Sequence, residues 1–276
     1  MEITAQAVNA LRQKTGAGLM DCKKALAESN GDMEKAIDFL RKKGAKVAAL
    51  RSEREAKEGA AIALTNASGT LGVALNLGCE TDFVAKNDDF VNAARTFAQA
   101  GLDQHASTLE QLLQLPMEGV TIGDKVAEMV GKIGEKIELK KYEVVEGACV
   151  VPYIHMGNKI GVLVAFNKAK SDKLEQAGKD IAMQIAAMNP VAIDKDGVSQ
   201  EVVDREMEIA KEKMRAEGKP ENMLDKIAQG AVQKFFKEST LLNQQFVKDN
   251  NKTVADVLRE IDKDLKVTRF VRLTLN

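Results

Sequence analysis

The sequence predicts an α+β protein. A three-helix module opens the chain, and a core of two subdomains on antiparallel sheets follows, with an antiparallel coiled-coil hairpin inserted in it. Three observations predict this. Apolar residues recur at helical spacing through the first fifty positions. Strand-like runs then arrive in clusters instead of alternating strictly with helices. Late in the chain, two narrow apolar seams of similar length flank the break Gly218-Lys219-Pro220. With 276 residues and about 150 per domain as a prior, the units expected are residues 1–54, 55–145 and 146–276.

The first helix follows from Ile3, Ala7, Val8 and Leu11, one apolar stripe with Thr4 as its N-cap. Thr15 to Gly18 interrupts it, and a second helix runs from about Leu19 to Ser29. Asn30-Gly31 turns the chain, Asp32 caps a third helix through Ala36, Ile37 and Leu40, and Gly44 is expected to stop it. Residues 45–58, charged and Ala-rich, suit a connecting helix. Ala61–Leu64 and Leu71–Leu77 read as a hairpin turned at 66–69. Helices are expected near 88–101, 107–114 and 123–133, and strands at 136–145, 148–155 and 159–167, the last two joined by Met156-Gly157-Asn158. A helix at 172–189 ends at pre-proline Asn189. The hairpin at 199–237 uses Val203, Met207, Ala210 and Met214 on one arm and Leu224, Ile227, Ala231 and Phe235 on the other. A helix at 253–262 and a strand from Leu265 to Leu275, with Val267, Arg269, Val271 and Leu273 on one face, close the chain.

Composition excludes several classes of function. Lys plus Arg is 40 against 41 Asp plus Glu, without the basic excess of a protein that neutralises phosphates. Trp is absent and aromatics are 4%, which argues against stacking platforms for single strands. No nucleic acid is therefore expected as a partner. Residues 1–54 hold 11 Lys/Arg against 7 Asp/Glu, and a module that small binds partners more readily than it encloses a pocket. Cys22, Cys79 and Cys149 are too far apart for a Cys-x-x-Cys metal site and odd in number, so reduced buried thiols are expected. No run of about 18 apolar residues and no signal-peptide core occur, so the expectation is a cytoplasmic protein without a membrane partner.

Catalytic and cofactor motifs fail one after another. No phosphate loop exists, and Gly16-Ala17-Gly18-Leu19-Met20-Asp21 follows a helix and lacks the third glycine of a dinucleotide fingerprint. Gly131-Lys132-Ile133-Gly134 imitates a nucleic-acid clamp, but Glu128, Glu135 and Glu138 crowd it, so a helix C-terminus is expected. The two histidines, His105 and His155, belong to no metal or nucleophile motif. No catalytic residue, metal ligand or cofactor is expected.

One segment stands apart, Cys79-Glu80-Thr81-Asp82-Phe83-Val84-Ala85-Lys86, leaving a strand and entering a helix. Two roles are open for Phe83. It shares parity with Val73, Leu75, Leu77, Cys79 and Thr81, so a continued strand would point it inward. On a strand–helix corner it would instead be an exposed hydrophobic anchor beside Asp82. Thr81 or Asp82 also suits a helix cap.

Three stretches carry a family resemblance: TGAGLMDCKKALAESNGDMEKAIDFLRKKG at 15–44, ETDFVAKNDDF at 80–90 and YIHMGNKIGVLVAFN at 153–167. They closely resemble the elongation factor Ts family of bacterial translation, in order from residue 3 to about residue 275. The resemblance implies a guanine-nucleotide exchange factor for elongation factor Tu, in its GDP-bound and nucleotide-free forms, with no catalytic chemistry of its own. It implies that the N-terminal module is ubiquitin-associated-domain-like and meets the GTPase domain through a surface including Arg12, Leu19 and Met20. It implies that Thr81, Asp82, Phe83 and Val84 press on the GTPase near its magnesium and phosphate site, and that His155 lies by a contact with another domain of the partner. The hairpin at 199–237 matches the family's protruding coiled coil. Some members carry a further helical module after the last strand, and the expectation here is that this chain stops without one, at Asn276. The resemblance leaves open one copy of each partner or a dimer of heterodimers. A docking protein that binds without exchange is the alternative from another class.

Overall fold

The computed structural model describes residues 3–275; Met1, Glu2 and Asn276, at the ends of the expected 1–54 and 146–276 units, lie outside the described residues. Three helices come first: α1 (Ala5–Thr15), α2 (Leu19–Glu28) and α3 (Met33–Leu50). Thr4 and Asp32 cap α1 and α3 by accepting from Ala7 N and Lys35 N. Val8, Leu11, Cys22, Ala25, Leu26 and Ala36 form their shared core.

Gly44 does not stop α3. The helix runs on to Leu50, and a short turn replaces the rest of the connecting helix expected to reach residue 58. Its lack of a side chain serves packing instead, against the helix that holds Gly131. A Cβ on Gly131 would lie 2.9 Å from the Gly44 Cα, and one on Gly44 would lie 3.0 Å from the Ala127 carbonyl oxygen.

Next come β1 (Glu58–Thr65), β2 (Leu71–Cys79), α4 (Asp82–Ala85), α5 (Asp88–Asp103), α6 (Leu109–Gln114), β3 (Pro116–Met117), β4 (Val120–Thr121), α7 (Ile122–Ile133) and β5 (Glu138–Glu146). The second half holds β6 (Cys149–Ile154), β7 (Ile160–Phe166), α8 (Asp172–Met188), α9 (Gln200–Ala216), α10 (Glu221–Ser239), β8 (Gln245–Phe246), β9 (Asp249–Thr253), α11 (Val254–Ile261) and β10 (Val267–Thr274). Two antiparallel three-stranded sheets, β1-β2-β5 and β10-β7-β6, are the frame.

Strand periodicity sorts the side chains into layers. Ile62, Val73, Leu75 and Leu77 face one core with Phe90, Phe97 and Val126 of the helices. Val162, Val164 and Phe166 face another with Ile181, Ile185 and Leu258. Between the sheets lie Ala63, Ala74, Val145, Val150, Leu163 and Ala165. The small residues permit close approach: a Cβ on Gly72 would sit 2.8 Å from Val150 Cγ1. The arrangement is helix, sheet, sheet, helix.

Several expectations need correction. A bulge between Val267 and Arg269 breaks the parity of β10, so Val267 joins the helix-covered core while Val271 and Leu273 face the other sheet. Asn189 ends α8 in the left-handed conformation (φ 45°), not in the extended one that a following proline favours. Gly134 (φ 79°) caps α7 as expected of a helix C-terminus. α9 and α10 run antiparallel, tied by Lys211–Asp225 at 2.9 Å and Arg215–Glu221 at 2.9 Å. The buried stripe of α10 is Leu224, Ala228 and Val232, whereas Ile227, Ala231 and Phe235 of the expected seam are only half-buried. No side chain of α9 is buried.

Candidate partner-binding site

The site is built where β2 ends. Its ladder closes at Cys79, paired with Glu58 of β1, and at Gly78, paired with Glu138 of β5. Thr81, still extended, then caps the one-turn helix α4 by accepting from Val84 N at 3.4 Å. The turn moves Val84 and Ala85 onto the β1–β2 core and throws Phe83 outward, 84% exposed. The inward role for Phe83 is thus overturned: the alternation of β2 holds to Cys79 and stops where helical geometry begins. Beside the ring is a groove of about 390 Å³ lined by Val84, Asn87, Phe90, Met129 and Ile133.

A reciprocal clasp holds this corner. Glu135, in the α7–β5 loop, accepts at Oε2 from Glu80 N (3.1 Å) and Thr81 N (3.0 Å), and at Oε1 from Thr81 Oγ1 (2.6 Å). In return Glu80 Oε1 accepts from Lys136 N at 2.6 Å and from Arg51 Nη1, just past the end of α3, at 2.7 Å. The Lys136 amide, with the Arg51 guanidinium, holds the Glu80 carboxyl below its ordinary range. Asp82 is also held low, by its 2.6 Å contact with the Lys86 ammonium and by Lys159. Both carboxylates are ionised at neutral pH. Cys79, by contrast, is buried in the same corner; burial, with Glu135 and Glu58 nearby, pushes its thiol up to about 12.

The other sequence-predicted residues are on the surface. Arg12 is exposed on α1. Leu19 and Met20, 48% and 71% exposed, start α2 just after the Gly16–Gly18 break. Their exposure follows from register, since the module's core uses Cys22, Ala25 and Leu26. His155 is exposed at the end of β6, its Nδ1 3.0 Å from Tyr153 Oη, and its N–H donates to Ile160 O at 2.9 Å, closing the β6–β7 hairpin. Lys159 of that turn reaches Glu58 at 3.2 Å. Glu58 is the register partner of Cys79, so the His155 turn and the Phe83 corner stand at one end of the two sheets. Leu19 and Met20 belong to the three-helix module, where Gly16, just before them, lies against the Lys132 side chain that also lines the Phe83 groove.

Sequence reasoning missed Arg51, Glu135 and Lys136. They lie 29, 54 and 56 positions from the residues they hold, and no local pattern marks them. It also passed over Met156, 87% exposed beside His155. Among the described residues no group of His, Cys, Asp and Glu could hold a metal ion, and no helix is long and apolar enough to cross a membrane.

Comparison with known proteins agrees over the whole chain. A family model described as Elongation factor TS matches residues 80–276. Elongation factor Ts of Amoebophilus asiaticus is 55% identical over 273 residues, covering 99% of each chain. That of Christiangramia forsetii is 52% identical over 274 residues, again 99% of each. That of Porphyromonas gingivalis is 48% identical over 277 residues, covering 100% of this chain and 99% of the relative.

Proposed function

The chain belongs to the elongation factor Ts family, and from that premise we propose that it is a guanine-nucleotide exchange factor for elongation factor Tu, acting in the cytoplasm during translation elongation. The observation that carries the mechanism is Phe83, a large apolar side chain 84% exposed on a braced corner. Such a ring gains little from water and much from a partner's cleft. Phe83 acts as the wedge at the GTPase's magnesium and phosphate site. Asp82, ionised and exposed beside it, disturbs the ligation of the magnesium ion through charge and hydrogen bonding. Val84 and Thr81 support the pair from behind.

The remaining surfaces hold the partner. Arg12, Leu19 and Met20, on the ubiquitin-associated-domain-like module of residues 1–54, grip the GTPase domain. His155, in the core's second subdomain, meets another domain. Residues 55–145 form the first subdomain, and the helix pair at 199–237 is the family's coiled coil. The factor performs no bond chemistry. It binds nucleotide-free elongation factor Tu more tightly than the GDP form, and by linkage it weakens GDP by the same ratio. Each tenfold loss of GDP affinity requires about 1.4 kcal/mol of differential contact, so three decades need about 4 kcal/mol.

The test is stopped-flow release of fluorescent GDP from elongation factor Tu at fixed magnesium. Release accelerated in proportion to added factor supports exchange. Complex formation with unchanged release refutes it and leaves a docking protein. Sedimentation of the complex separates one copy of each partner from a dimer of heterodimers.

A further inference from the structure

We propose that Glu135 is a positioning residue for exchange, setting the orientation of Phe83 through the backbone of residues 80–81. The inference rests on the exchange function proposed above. A wedge must be stiff as well as exposed. α4 has only four residues, and one helical turn has no stability of its own. Phe83 has almost no packing to hold it, so whatever fixes its direction must act through the chain before it.

The structure supplies one such anchor. Both consecutive amides, Glu80 N and Thr81 N, converge on a single carboxylate oxygen of Glu135 at 3.1 and 3.0 Å. The other oxygen takes the Thr81 hydroxyl at 2.6 Å, and that hydroxyl in turn accepts from Val84 N as the cap of α4. One side chain thus fixes the last extended residues and the first turn of the helix together. Charge-assisted bonds of this kind are shorter and stronger than neutral ones. The anchor itself is held, because Lys136 N donates to Glu80 at 2.6 Å and Arg51 closes the same carboxylate from α3. Glu135 also follows Gly134, whose φ of 79° turns the chain out of α7 toward the corner.

The prediction separates orientation from affinity. Glu135→Ala leaves Leu19, Met20 and His155 in place, so the factor still docks, but the wedge no longer arrives in one direction. The maximal GDP-release rate at saturating factor falls about tenfold, while the half-saturating concentration moves less than about threefold. Glu135→Gln keeps an acceptor oxygen for the two amides and recovers most of the rate. On a Phe83→Ala background the Glu135→Ala change has little left to remove, so the two losses do not multiply.

The experiment is GDP release from elongation factor Tu across factor concentrations for wild type, Glu135→Ala, Glu135→Gln, Phe83→Ala and the double variant, with a melting curve for each. A Glu135→Ala rate equal to wild type, or a loss that multiplies in full with Phe83→Ala, overturns the proposal. If Glu135→Ala does not fold, Glu135→Asp, which keeps the charge but draws the carboxylate back by one methylene from the two amides and the Thr81 hydroxyl, takes its place in the cycle under the same criteria. If wild type itself fails to accelerate release, the exchange function falls and this role with it. If wild type works and only the Glu135 arms behave as wild type, this role alone falls.

Discussion

Replacing Phe83 with Ala separates the exposed wedge from a core residue. With 84% of the residue in solvent, its folded-state contacts are few. Surface changes away from special features move stability by about 0.5 kcal/mol or less, so the melting temperature should be unchanged. In a complex, a ring of this kind removes on the order of 150 Å² from water, or roughly 3–4 kcal/mol at about 25 cal per Å². Only the part gained as the nucleotide leaves speeds release. If that is half, the loss is about 2 kcal/mol and the maximal rate falls roughly thirtyfold. Stopped-flow release of fluorescent GDP and a thermal melt on the same preparation read both quantities. A rate within about threefold of wild type refutes the wedge. A melting point several degrees lower, with activity tracking the folded fraction, would put the ring in the core and refute the exposed corner.

Two glycines inside helices should respond with opposite sign. Gly131→Ala gains about 1 kcal/mol of helix propensity, but its methyl would meet the Gly44 backbone at 2.9 Å. Overpacking costs about 1–3 kcal/mol, so thermal melting should show a net loss. Gly230→Ala on α10 meets nothing and should gain about 1 kcal/mol by the same measurement. Glu80 ties stability to pH. Its folded pKa lies below its ordinary 4.5, so its contribution is complete above about pH 4.5 and is lost as pH falls through the lower folded value. Acid titration of the melting temperature should show this fall flattened in Glu80→Gln, and an unaltered curve would refute the clasp. Cys22, Cys79 and Cys149 are all buried, so a thiol reagent at pH 8 should react with none in the native protein and with all three after denaturation. Rapid native reaction would contradict the packing.

Much of this fold was legible because its signals are local. The caps Thr4 and Asp32, the hairpin turns at 66–69 and 156–158, and the alternation of β2 are written within a few residues of where they act. Gly44 was misread because a glycine at a helix stop and a glycine at a helix crossing look identical until the neighbour is known. The bulge in β10 was invisible for a similar reason: skipping Thr268 in the pairing depends on β7, about a hundred positions earlier. The short strands β3, β4, β8 and β9 were missed, being two to five residues long with no apolar alternation to read. At the site, the motif drew attention to residues 81–84 from sequence alone. Whether Phe83 faced in or out depended on where β2 stopped, and Thr81 decides that through a carboxylate 54 positions away.

The uninterrupted course of α3 bears on how the two proposed contact surfaces would share a partner. Met33 to Leu50 is one helix, seated on α7 through Gly44 and Gly131 and joined to the Phe83 corner by Arg51. In the proposed complex, Leu19–Met20 and Phe83 would act as two contacts of one ligand joined through packed helices and the Arg51–Glu80 pair instead of a flexible tether. For such a ligand the effective concentration of the second contact is set by fit, not by chain statistics. A target that matches both spacings is engaged without further search, and one displaced by a few ångströms loses the second contact entirely. Inserting a single residue in α3 beyond Gly44 would leave the module seated on α7 and turn Arg51 by about 100° away from Glu80. Each surface would remain in place, and the Glu80 carboxylate would keep only the Lys136 amide.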